Sequence, residues 1–190
     1  MKKRKHVWLD LVACFFIPAY TLLFAGSLRW FRSNFSVIAV TGADHYRGFV
    51  VWGLLTGGYF LFMLVRLAGL LPRPGARAAV LILTTLALMS LGYALAIPYL
   101  PTSFPQYAAL HVLLAALSCM LLMGTLLLIL LSLNRAEPGR WRKPLLAWWG
   151  IVAVSGVLFL IAGIVSTALE VFFTIAATLL ARDIWLRSQR

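Results

Sequence analysis

Apolar residues run along this chain in long blocks, with short basic or polar segments between them. A bilayer-crossing helix needs about 20 mostly apolar residues, because no water is present in the hydrocarbon to satisfy exposed backbone. By that measure the blocks predict spans at about Trp8 to Leu28, Phe49 to Leu71, Ala78 to Ile97 and Gln106 to Leu133. The fourth exceeds the hydrocarbon thickness and is expected to tilt or project. The last block, Leu145 to Leu186, would measure about 63 Å as one helix, twice the core thickness, and so must fold back. The turn is expected around Gly163 to Thr167, giving spans at about Leu145 to Gly163 and Ser166 to Leu186. The predicted fold class is all-α: one domain, residues 1–190, built as a bundle of six transmembrane helices. Pro18, midway along the first span, predicts a kink.

Composition narrows the picture. Hydrophobic residues make up 63% of the chain and charged residues 12%, which leaves no room for a sizeable soluble domain. A net charge of +12 would raise nucleic acid in a soluble protein. Here the basic residues cluster between apolar blocks without a nucleic-acid-reading motif, so nucleic acid is not expected. They act instead as topology signals and contacts for anionic headgroups. In a six-span layout only Arg29, Arg32 and Arg47 of the 17 basic residues fall on the side opposite the N-terminus. The positive-inside rule then places both termini in the cytoplasm, and the chain is expected in the cell membrane among membrane lipids. Trp8, Trp30, Trp141, Trp148, Trp149 and Trp185 fall near the expected interfaces. Cys14 and Cys119 are too far apart for a framework and are expected as small buried thiols.

The N-terminus resembles a signal peptide, and Leu11-Val12-Ala13-Cys14 a lipoprotein cleavage box. Asp10 interrupts the short apolar stretch, and the run continues past Cys14 to Ala25, so an uncleaved first span is expected. On span two, Gly53 and Gly57 form a small-xxx-small pair, suited to helix packing or, if lipid-facing, to a protein partner or second copy.

Ionisable groups within spans are expensive and call for partners. Asp10, near the inner end of span one, is expected to pair with Arg66, Arg182 or the N-terminal lysines, and Arg66 to snorkel. Glu170 lies about one turn into span six, where Ser166 and Thr167 could bond to it or cap the helix. His111 lies one to two turns into span four, after the proline-stiffened loop Pro98 to Pro105. The external segment Arg29 to Gly48 holds Arg29, Arg32, Asn34, Ser36, Thr41, Asp44, His45 and Arg47. Its apolar middle, Phe35 to Val40, is expected to fold against the membrane or over the bundle.

Topology therefore puts Arg29, Arg32, Asp44, His45, Arg47, His111 and Glu170 towards the outer leaflet, as the candidate ligand-binding set. The arginines suit a phosphate or carboxylate headgroup. Imidazole and carboxyl groups can move protons or hold a metal, but no metal-ligand spacing is present and no metal is expected. No nucleophile motif, nucleotide-binding loop or haem-ligating pair is apparent, and no cofactor is expected.

Four short segments carry a family resemblance: Ser33-Asn34-Phe35-Ser36, Ile97-Pro98-Tyr99-Leu100-Pro101, His111, and Ser166-Thr167-Ala168-Leu169-Glu170. In these the chain resembles a broad family of uncharacterised bacterial six-helix membrane proteins. That family is distantly similar to the damage-regulated autophagy modulators and the GPI-anchor lipid-remodelling proteins. The resemblance implies a six-helix fold and lipid-related work, and transfers no catalytic residue.

The leading expectation is a protein that binds a lipid or small amphipathic ligand in a polar pocket near the outer leaflet. There the arginines would engage the headgroup, while His111 and Glu170 orient it. A membrane-embedded lipid-modifying enzyme is the alternative, with His111 or His45 as base or metal ligand and Glu170 or Asp44 as its partner. A small structural subunit docking through Gly53 and Gly57 is a further reading. A proton-coupled transporter titrating at Glu170 is least favoured, because the inner halves of spans three to five carry almost no polar side chains.

Overall fold

The computed structural model describes residues 7–26 and 30–189. Its elements are α1 (Val7–Ala25), the short α2 (Phe35–Ala39), α3 (Ala43–Ala68), α4 (Pro74–Ala96), α5 (Pro105–Ala136), α6 (Arg142–Ala162) and α7 (Thr167–Ser188). No strand occurs among the described residues. Five helices, α1 and α3 to α6, are long and apolar enough to cross a membrane, and they mark the chain as a multi-pass membrane protein. α7 has 22 residues but carries Glu170, Arg182, Asp183 and Arg187, which lower its hydropathy.

Several helices outrun their apolar blocks. α3 begins at Ala43, ahead of the block at Phe49, and its polar first turns project from the bundle. The expected turn is present: α6 ends at Ala162, Gly163 takes the left-handed φ of 69°, and Ser166 caps α7. Within α1, residues Val12–Phe16 form a π turn just before Pro18. Pro18 has no N–H and its ring would crowd a carbonyl one turn back, and a widened turn relieves that conflict.

Buried side chains gather in two clusters. The larger joins Leu9, Ala13 and Ile17 of α1 to Met63 and Leu67 of α3, Leu126 and Leu130 of α5, Trp148 of α6 and Ala181 and Ile184 of α7. The smaller lies at the other end and contains Phe35, Ile38 and Ala39 of α2 with Ala25, Phe49, Leu95 and Val171. Some hydroxyls inside the bundle are satisfied by their own helices: Thr84 donates to the Val80 carbonyl and Thr125 to the Leu121 carbonyl. The outer surface is apolar, with Leu23, Leu54, Met120 and Leu160 all exposed, as lipid permits.

Two expectations change here. Cys14 and Cys119 are exposed rather than buried, and a small apolar thiol costs nothing against lipid. Trp141 and Trp148 are buried packing residues rather than interface anchors, with the Trp148 indole donating to the Met123 carbonyl at 2.9 Å. Gly53 and Gly57 face α4: a Cβ on Gly53 would lie 2.3 Å from Leu95, and one on Gly57 3.4 Å from Leu91. This pair is used for packing inside the chain.

Candidate functional site

Asn34 starts α2. Its backbone is extended, and its side chain accepts the Val37 N–H at 2.8 Å, the usual chemistry of an N-cap. Phe35 then turns inward and is fully buried, with Phe24 and Trp52 meeting it edge-on at 5.1 and 5.0 Å. The ring pins α2 across the end of the bundle.

The backbone of the same segment is held by α7. The first N–H groups of a helix have no intrahelical acceptor. Thr167 N–H donates to the Ser33 carbonyl at 2.7 Å and Ala168 N–H to the Trp30 carbonyl at 3.0 Å, while the Ser166 hydroxyl accepts from Leu169. In return, Glu170 Oε2 accepts the Phe35 N–H at 2.6 Å. The Thr167 hydroxyl is buried and has no partner among the described residues.

α5 supplies the other contact. His111 is buried, with Nδ1 2.8 Å from the Ile97 carbonyl at the end of α4 and Nε2 2.6 Å from the Ser36 hydroxyl. The Tyr99 ring lies 5.8 Å from the imidazole. His111 and the start of α7 therefore meet at α2, and Ile97 joins them through His111.

The candidate residues thus divide into two groups. His111 and Glu170 both reach α2, but they do not touch each other; they orient the protein's own chain, where a ligand was expected. Arg32, Asp44, His45 and Arg47 are exposed beside it. Arg47 pairs with Asp44 at 3.4 Å on the first turns of α3. The Thr41 hydroxyl donates to the Ile38 carbonyl and so accepts from His45 Nδ1, at 2.7 Å. No polar contact joins this exposed group to His111 or Glu170 among the described residues. Arg29 lies outside the described residues. No three of His, Cys, Asp and Glu gather into a metal-sized group among those described. Sequence reasoning missed the pairing of Ser36 with His111; Ser36 stood as a polar residue of the external segment and in the Ser33-Asn34-Phe35-Ser36 motif, and neither points to a partner on another helix.

Two further features complete the surface. At the opposite end, a cavity of about 190 Å³ between α4 and α5 is lined by Arg73, Ala76, Leu128, Ser132 and Arg135. Between α3 and α4, an open apolar groove of about 290 Å³ runs from Gly53 and Leu95 past Gly58 to Leu61 and Leu88.

No protein-family model, curated protein or solved structure matches this chain.

Proposed function

We propose that the chain crosses the membrane six times with both termini cytoplasmic, and that its outer end binds the headgroup of an amphipathic membrane lipid. The observation that carries the lipid reading is the exposed set of Arg32, His45 and Arg47 around α2, at the end of the bundle away from the basic clusters. Guanidinium groups there suit a phosphate or carboxylate, and the apolar outer wall below them suits acyl chains. The resemblance to a six-helix family distantly similar to lipid-remodelling proteins points the same way.

Six spans are supported by the course of α7. Its first turn bonds to the segment that follows α1, and Arg182 near its far end bonds Asp10 near the start of α1 at 2.7 Å. The helix therefore runs the full length of its neighbour. The orientation rests on Arg66, Arg73, Arg77, Arg135, Arg140, Arg142, Lys143, Arg182 and Arg187, which share the end that holds Asp10. The cavity that includes Arg73 and Arg135 would offer anionic headgroups a cytoplasmic seat.

Two measurements test this. Single cysteines at Ile164 and Ser188, with Cys14 and Cys119 replaced by serine, should be labelled by an impermeant maleimide from outside and only after lysis, respectively; the reverse would overturn the orientation. Native mass spectrometry of protein extracted with its lipids should show a phospholipid adduct that an Arg32→Ala, Arg47→Ala variant loses. Equal adducts, or none on the wild type, would sink the headgroup reading.

A further inference from the structure

We infer that Ser36 and His111 form a nucleophile–base pair that transfers the acyl group of an ester-linked membrane lipid. The inference rests on the outer-leaflet lipid reading and adds a chemistry to it.

Two hydrogen bonds carry the argument. A carbonyl only accepts, so the bond from His111 to the Ile97 oxygen puts the hydrogen of the neutral imidazole on Nδ1. Nε2 is left with a lone pair, aimed at the Ser36 hydroxyl 2.6 Å away. A serine, a base within hydrogen-bond reach and a third group that fixes the base are the parts of an activated nucleophile. Burial shields the imidazole, while Ser36 remains partly exposed.

Ser36 also differs from four threonines of the spanning helices. Thr56, Thr84, Thr85 and Thr125 each donate to a carbonyl four residues earlier on their own helix. Ser36 reaches to the buried histidine of another helix instead. Its backbone is held on both sides: the Phe35 N–H by Glu170 and the Val37 N–H by Asn34. Glu170 is a positioning residue in this scheme.

The substrate class follows from depth and from the groove. His111 is in the second turn of α5, which puts Ser36 at the interfacial layer where the ester carbonyls of lipids lie. Leu95 packs in the same cluster as Phe35 and also lines the upper end of the α3–α4 groove. An acyl chain whose carbonyl stands at Ser36 has that groove beside it. In the first step Ser36 Oγ bonds to the ester carbonyl carbon, and its proton passes to His111 Nε2. The carbon–oxygen bond of the ester breaks, and the departing alcohol takes that proton. Water then attacks the acyl-serine, giving its proton to His111; the acid leaves and Ser36 regains the hydrogen.

The test uses the full chain in lipid nanodiscs and a long-chain alkyl fluorophosphonate. Its P–F bond breaks as an O–P bond forms on an activated serine. The expected result is one adduct, mapped by mass spectrometry to Ser36 and absent from Ser36→Ala. His111→Asn should label about 100-fold or more slowly, the usual share of a general base. Thermal melting of each variant reports its folding. Should His111→Asn fail to fold, the wild type and Ser36→Ala decide: the adduct must map to Ser36 in the first and be absent from the second. A folded wild type without an adduct on Ser36, or equal labelling of a folded His111→Asn, would overturn the inference. Gly58→Leu, whose side chain would enter open space in the groove, should slow the long-chain probe at least about fivefold more than a short one; equal effects would remove the groove from the proposal. An adduct on Ser36 in protein that binds no phospholipid would keep the chemistry and sink the headgroup reading. Bound phospholipid without an adduct would do the opposite.

Discussion

The two ends of this bundle solve the problem of buried polarity differently. At the Asp10 end, charges pair with charges: Arg182 with Asp10, Arg187 with Asp183 and Arg140 with Glu137, all partly open to solvent. At the α2 end, Glu170 and His111 serve backbone groups and a hydroxyl, and no cation meets them among the described residues. Partly solvated ion pairs contribute little stability, whereas a donor left unpaired in a dry site costs its full desolvation. The α2 end should therefore be the more brittle of the two, although it carries fewer charges.

Mutations can break that comparison. Phe35→Ala empties the aromatic cage and should destabilise the protein by about 3–5 kcal/mol, seen as the largest fall in melting temperature and as protease cleavage within residues 30–42. Glu170→Ala strands the Phe35 N–H and should cost about 1–3 kcal/mol, with Glu170→Gln recovering much of it because an amide oxygen still accepts. At the other end, Asp10→Ala should cost about 0.5–1 kcal/mol, and the loss should shrink at high salt. Arg47→Ala, removing half of a pair whose side chains are 80% and 95% exposed, should leave melting unchanged. An Asp10 variant less stable than the Glu170 variant would reverse the comparison.

The same contrast governs what could be read from the chain. Spans were legible because lipid demands long apolar blocks. The α6–α7 turn was legible because Gly163 can take a left-handed φ and Ser166 can cap. Asp10 had few possible cations, and Arg182 was among those named. The α2 site was hidden because its bonds join residues 75 and 135 positions apart, and nothing local announces them. Sequence grouped His111 and Glu170 with the segment after the first span, and both reach it in the structure, but it did not set them against Ser36 and Phe35. The tryptophans misled because Trp141 and Trp148 lie near helix ends yet face inward, which spacing from an interface cannot tell.

The π turn in α1 carries one more consequence, a matter of angular phase. The buried residues of α1 are Leu9, Ala13, Ile17, Thr21 and Ala25, a strict repeat of four. In a regular α-helix each such step overshoots a full turn by about 40°, so five positions would wind well off one face. The wider turn at Val12–Phe16 takes back part of that rotation and keeps both ends of the stripe on the bundle. Deleting one residue there, Phe15 for instance, would restore a regular helix and swing everything before it by about 100°. Asp10 would then face away from Arg182, and the two ends of the bundle would lose their common alignment through a helix that touches both.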